Sequence, residues 1–345
     1  MTQKHVDRRR TIRDIAREAR VSTATVSRVL NSSAPVSRVT RERVEQVVRK
    51  HHFVFDSLAG SLATRRSRLI GLVIPTLVNS IYAAFAQAIQ AAAQSKRYTV
   101  LLGVSEFSPV EEERLIEQFI AHRVEALILT GADRPDRTYQ QIRRNRVPFI
   151  ITWKSTARRD LPSISFDNGL AARQAMAFLL ERGHRRIGLI CGRTTVNDRA
   201  RERREAYESI LKEHDLSLDP ELIHECDFEF EAGRLAMQKM LSRREPPTAV
   251  FCANDIQAIG ALTECRVAGI RVPEEASIIG FDDLPITTFV EPQLTTVHVP
   301  AAEMGRLAAE SVIGHLAENT PLESAILPTT LVIRSSAGAP SSDAT

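Results

Sequence analysis

Residues 11–31 read TIRDIAREARVSTATVSRVLN, and the spacing inside this run decides how the chain begins. Ile12, Ile15, Ala16 and Ala19 recur at helical spacing and form one apolar stripe. Thr11 stands before them with Asp14 three residues on, a capping-box arrangement that opens a helix. Arg20 and Val21 interrupt the period. Ser22 then caps a second helix, with Val26, Val29 and Leu30 inward and Thr23, Ala24, Ser27, Arg28 and Asn31 outward. Pro35 ends that helix, and a third over about 38–50 buries Val44, Val47 and Val48. Three short helices with a tight link between the first two describe a helix-turn-helix.

Charge agrees with that reading. Residues 1–68 carry 16 Lys and Arg against 6 Asp and Glu, while the other 277 carry 30 against 36. A basic head on an acidic body suits a polyanion met by the head alone. The chemistry of the outward face fits duplex DNA. Hydroxyls and backbone N–H groups at a helix start grip phosphates, the Arg28 fork matches a guanine edge, and Thr23 and Ala24 are small enough to meet a thymine methyl. The competing reading is a small helical interaction module whose Ser and Thr are caps only.

The run 11–31 closely resembles the DNA-binding head of the lactose-repressor (LacI/GalR) family of bacterial transcription regulators. The resemblance implies base contacts by Thr23, Ala24 and Arg28, and phosphate contacts by Thr11, Ser22, Thr25, Ser27 and Asn31. One departure stands out: the family usually has Gly in the turn, where this chain has Arg20. A non-glycine residue at positive φ costs about 1 kcal/mol or more, and a phosphate contact by Arg20 would offset it. Residues 57–64, SLAGSLAT, resemble the family's hinge helix. So short a segment is marginal alone. The resemblance implies that it folds when dimerised on DNA, with Leu62 wedged into the minor groove. Gly60 weakens it by roughly 1 kcal/mol, and Phe55-Asp56 replace the family's Pro-Asn.

Beyond residue 68 the pattern changes. Short apolar runs at 69–74, 99–103, 126–130, 149–152, 163–166, 186–191, 222–225, 249–252, 277–281, 295–297 and 330–333 alternate with amphipathic stretches such as 80–95, 111–122, 169–182 and 301–317. This alternation predicts an α/β body of parallel sheets covered by helices, and eleven strands suit two lobes with a cleft. The strings IGLVIP (70–75), RGHRRIG (182–188), AND (253–255), IRVP (270–273), IGFDD (279–283) and LTT (294–296) are similar to the same family's periplasmic-binding-protein-like (type I) body. Asn254-Asp255, Glu264-Cys265 and Val272-Pro273 are similar to gluconate-type repressors within it. The expected organisation is a head over 10–56, a hinge and linker over 57–68, a body over 69–335 and a disordered tail over 336–345. The N-lobe takes about 69–166 and 298–327, and the C-lobe about 168–297 and 328–335. Crossings near 166–168, 297–300 and 327–330 would permit hinge closure on a ligand.

A sugar presents hydroxyls and an apolar ring face, so its site needs paired donors and acceptors plus a stacking surface. The resemblance carries this role to Arg203, Asn254, Asp282 and the aromatic Phe228. Trp153 follows a strand end and, with Tyr82, is expected at the rim. Capping of the next helix alone would also explain Asn254-Asp255, and core packing would explain Phe228 and Trp153. Arg199, Arg201 and Arg204 beside Arg203 suit a carboxylate or phosphate, which favours a sugar acid. A solvent face balanced by Glu202 and Glu205 accounts for them equally.

No GxGxxG, Walker, GxSxG or HExxH motif is present, so neither an enzyme nor a cofactor is expected. Four scattered cysteines suggest reduced thiols and no metal site. No apolar run reaches membrane-span length and no apolar region follows the basic start, so a cytoplasmic protein without a membrane partner is expected. The expectation is a homodimeric repressor on a near-palindromic operator, controlled by a sugar or sugar acid. The alternative is a two-lobed solute-binding protein or sugar enzyme whose basic head does not bind DNA.

Overall fold

The computed structural model describes residues 10–31, 35–53 and 66–341. The chain divides into two units, residues 1–67 and 68–345. Residues 57–64, with the expected wedge Leu62, lie outside the described residues, as does the Asn31 side chain.

Among the described residues the first unit holds α1 (Ile12–Glu18), α2 (Thr23–Asn31) and α3 (Arg38–Lys50). Ile15, Ala16, Ala19, Val26, Val29, Val44 and Val47 are buried together as its core. Val48 and Leu30 pack against that core while keeping some exposure. Lys50 and His51 both reach Glu18, at 2.7 and 2.6 Å, tying α3 to α1. The turn after α1 is left-handed, with Arg20 at φ +53°. Its geometry closes the helix: the Arg20 N–H donates to the Arg17 carbonyl and the Val21 N–H to the Ala16 carbonyl.

The second unit contains two parallel-based sheets. The first has β1 (Leu69–Ile74), β2 (Thr99–Val104), β3 (Ala126–Thr130), β4 (Phe149–Thr152), β5 (Ser163–Ser165) and β11 (Ala325–Ile326), in the order β11-β5-β4-β3-β1-β2. The second has β6 (Ile187–Cys191), β7 (Ile223–Glu225), β8 (Ala249–Cys252), β9 (Ser277–Asp282), β10 (Thr295–His298) and β12 (Thr330–Val332), in the order β12-β10-β9-β8-β6-β7. Pairing is parallel except between β10 and β12. Strands such as LIGLVI of β1 are apolar along their length because helices cover both faces. The covering helices include α4 (Ser80–Ser95), α5 (Pro109–Ala121), α6 (Asp136–Arg144), α7 (Asn168–Glu181), α8 (Asp198–Glu213), α9 (Phe230–Leu241), α10 (Asp255–Val267) and α11 (Ala301–Glu318). The chain passes between the sheets after β5, after β10 and after β11.

Two expectations need correction. β11 was absent from the expected strands: it is two exposed residues, too short to show a period. The tail expected to be disordered over 336–345 is bonded into the body at its start, residues 336–338. Ser336 is buried; its hydroxyl donates to the Ile278 carbonyl at 2.6 Å and accepts the Thr295 N–H at 2.8 Å. The Gly338 N–H donates to Ser277 Oγ at 3.0 Å, and the Gly338 carbonyl lies 3.0 Å from Nε2 of buried His184. Polar composition concealed this segment because backbone and hydroxyl bonding, rather than apolar burial, holds most of it. No helix among the described residues is long and apolar enough to cross a membrane.

Candidate functional sites

In the head, Thr23, Ala24 and Arg28 are exposed on the face of α2 opposite buried Val26 and Val29. Thr25 and Ser27 lie at its border, half-buried. Ser22 Oγ accepts the Thr25 N–H at 3.1 Å and lies 2.9 Å from Thr25 Oγ1. That hydroxyl pair uses one proton between its members and leaves the other to donate. Neither α2 nor α3 has an acidic residue in its first turn, so the positive ends of both helix dipoles are unscreened. Thr11 differs. Its N–H and its hydroxyl both donate to Asp14 Oδ2, at 2.9 and 2.8 Å, and these bonds hold the Asp14 carboxyl below its usual range. The Thr11 hydroxyl must turn away from Asp14 before it can donate to a phosphate.

In the body, five turns from strand ends into helices are closed by polar side chains. Asn79, Ser108, Asp167, Asn197 and Asn254 each accept a backbone N–H of the helix they open. Three of these caps, Asn79, Asn197 and Asn254, line one cleft at the carboxyl ends of the strands. All six residues expected to touch an effector line it as well: Tyr82, Trp153, Arg203, Phe228, Asn254 and Asp282. Capping does not exclude a second role. Asn254 accepts the Ile256 N–H through Oδ1 at 2.9 Å while its Nδ2 donates to Asp282 Oδ2 at 2.6 Å. Asp255, by contrast, is structural, taking the Thr296 hydroxyl at 2.5 Å and the Leu284 N–H at 2.8 Å.

Asp282 is the hub. Its Oδ2 also accepts from Nδ2 of Asn79 at 3.0 Å, so one carboxylate oxygen joins the two lobes. Burial raises its pKa to about 6, against the opposing pull of Arg203 and the Asn79 bond. Its φ of +118° is a conformation that costs about 1–3 kcal/mol and persists where the surroundings enforce it.

Arg203 donates from Nε to Asn168 Oδ1 at 3.0 Å and from Nη1 to the Ala253 carbonyl at 2.7 Å, with its guanidinium 3.6 Å from the centre of the Phe281 ring. Burial pulls its pKa down, opposed by Asp282. Asn168 in turn donates to the Trp153 carbonyl at 2.8 Å. Trp153 and Tyr82 are buried within the cleft and not at its rim as expected; Trp153, at φ +68°, packs its ring 4.7 Å from Tyr82, and its indole N–H is buried with no acceptor among the described residues.

Arg199 also lines this cleft, on the same face of α8 as Arg203, and bonds Asp198 at 2.7 Å. Their spacing of four was the available signal for Arg199. Arg201 and Arg204 turn elsewhere. The first pairs with Asp133 and the Thr194 carbonyl, the second with Glu208 and Glu225. Glu202 pairs with Lys154 rather than with a neighbouring arginine. The sequence reading passed over Asn79 and Asn197, whose strand-end capping signal matches that of Asn254.

The lacI family of bacterial regulatory proteins matches residues 11–55, and the periplasmic binding protein-like domain matches residues 176–337. The chain is 35% identical to the HTH-type transcriptional repressor CytR of Escherichia coli (strain K12), over 86% of this chain and 87% of that protein. It is 37% identical to the HTH-type transcriptional regulator GalS of Salmonella typhimurium, covering 87% and 88%. Among solved structures it is similar to the lac repressor dimer bound to operator and the anti-inducer ONPF, with a TM-score of 0.82, 26% identity, and 96% and 99% coverage.

Proposed function

Because the chain belongs to the lacI family of bacterial regulatory proteins and is a DNA-binding transcription regulator governed by a small effector, we propose how it does this work. Two copies present their α2 faces to the half-sites of a near-palindromic operator. Arg28, Thr23 and Ala24 read base edges; Ser22, Thr25 and Ser27 hold phosphates, with Thr11 and Asn31 beside them. Leu62 enters the minor groove between the half-sites. The effector is a carbohydrate that occupies the cleft, where Arg203, Asn254 and Asp282 bond its hydroxyls and Tyr82, Trp153 and Phe228 bound its apolar face.

One observation carries this reading: all six residues meet in a cleft whose lobes share the Asp282 carboxylate through Asn79 and Asn254. A hydroxyl inserted there replaces the Asn79–Asp282 bond, so occupancy is linked to the spacing of the lobes. Such a ligand shifts operator affinity only by the difference in its binding to the two lobe arrangements.

The charges favour a neutral sugar. Arg199 is answered by Asp198, and Arg203 is opposed by Asp282. A sugar acid is the second reading, supported by two arginine forks on one wall. Thermal shift with neutral sugars and their acids separates the two, because a ligand of the folded state raises Tm by mass action. A neutral sugar that stabilises and also changes affinity for an operator selected from random duplexes supports the reading. Stabilisation by the acids alone overturns the preference for a neutral ligand. Selected DNA without two-fold symmetry overturns the dimer reading.

A further inference from the structure

Next to the cleft lies a vestibule of about 590 Å³, and Thr76, Asn197 and Phe228 line both. Phe228 lines both the cleft and the vestibule, and Phe107 lines both the vestibule and a side chamber next to Arg199. Phe107 belongs to the segment after β2 and Phe228 to the segment after β7, so the rings come from opposite lobes. They stack on each other, with centroids 5.2 Å apart and planes 29° apart. That separation leaves no room for a ring between them.

The Phe107 ring is set in place by a backbone conformation with a cost, and the Phe228 ring by a close approach to a glycine. Glu106 and Phe107 are consecutive non-glycine residues at φ +50° and +57°, a pairing that persists only when neighbours enforce it. The Ser108 N–H donates to the Ser105 carbonyl at 2.8 Å and closes that turn. On the other lobe Phe228 lies against Gly192, where any Cβ would strike the ring. Trp153, which lines the cleft together with Phe228, is 1% exposed.

We infer that Phe107 belongs to the effector site. With Phe228 it forms an aromatic partition across the lobes that shields the inner cleft from solvent and must part for an effector to enter or leave. This rests on the reading of the cleft as the effector site. The barrier itself is measurable without any effector.

Trp153 is the only tryptophan of the chain, so its fluorescence reports access to the inner cleft. Acrylamide quenching of the full-length protein should be weak. In Phe107→Ala the Stern–Volmer constant should rise about threefold or more, with circular dichroism confirming the fold; Phe107→Leu, which keeps most of the barrier, should fall between. Asp133→Ala releases the Arg201 ion pair between the lobes but leaves both rings, and should quench like wild type.

A folded Phe107→Ala as protected as wild type overturns the proposal. So does Asp133→Ala quenched as strongly as Phe107→Ala, since general loosening of the lobes would then control access. If Phe107→Ala does not fold, Phe107→Leu decides by the same comparison. A partition that opens as expected in a protein that binds no sugar leaves the inference standing and removes the carbohydrate reading.

Discussion

The head and the cleft are built on opposite plans. The candidate DNA face comes from one run of sequence, with side chains exposed at helical spacing over a separate small core. The cleft is assembled from residues as distant as Asn79 and Asp282, and most of its polar groups are buried and already bonded to one another. A head residue therefore acts largely through its own contact, and removing it should leave the fold intact. A cleft residue supports its neighbours as well, so its removal should cost stability and response together.

The strongest test of that contrast is Asp282→Ala. It strands the Asn79 and Asn254 amides and leaves Arg203 buried without its opposing charge. Leaving a buried donor without its acceptor costs about 1–3 kcal/mol, and two amides are stranded here, so a large fall in Tm with loss of effector response is expected. An unchanged Tm would mean that the hub does not hold the lobes.

The milder Asp282→Asn isolates the charge. The Asp282 pKa is raised to about 6 in the folded chain against an ordinary 3.8. The folded state thus keeps its proton to higher pH than the unfolded state does. Stability from that protonation is present below the ordinary value and is lost as pH rises through about 6. The Tm of wild type should gain on that of Asp282→Asn as pH falls from about 7 to about 5. A constant difference would refute the shift.

Arg203→Ala comes next. Effector response should vanish, as read by the loss of ligand-induced change in operator affinity, while operator affinity without ligand stays close to wild type. Arg28→Ala should do the reverse: relaxed base specificity by about 1–3 kcal/mol, with unchanged Tm and unchanged effector stabilisation. A fall in Tm for Arg28→Ala would break the distinction between the two plans.

The same distinction explains what could be read in advance. Helical spacing alone locates Ile15, Val26 and Val44 in one small core, because the head's contacts are local. The apolar strands were legible as runs, since burial on both faces removes alternation. Arg203, Asn254 and Asp282 were reached through family motifs, as no periodicity joins residues in different lobes. Asn79 escaped because a cap and a ligand-facing amide look alike in sequence, and Phe107 because its partner Phe228 comes from the other sheet. Arg201 and Arg204 were grouped with Arg203 by proximity in sequence, whereas direction around the helix sends them to other partners.

The smallest expected effect compares one turn in two settings. Arg20 in the head and Arg146 in the body both end a helix at positive φ, +53° and +56°. In each the next residue returns its N–H to the helix, Val21 to Ala16 and Val147 to Ile142. Glycine adopts that conformation without the Cβ conflict, so Arg146→Gly should raise body stability by up to about 1 kcal/mol and leave DNA binding unchanged. Arg20→Gly should give a similar gain in the head, but with a loss on DNA if Arg20 holds a phosphate. The readout is binding to non-specific duplex at several salt concentrations. A lost phosphate contact lowers affinity and reduces the slope of log K against log salt by about 0.9. If Arg20→Gly raises stability and DNA affinity together, the arginine has no phosphate role, and the two turns are the same helix stop carrying the same strain.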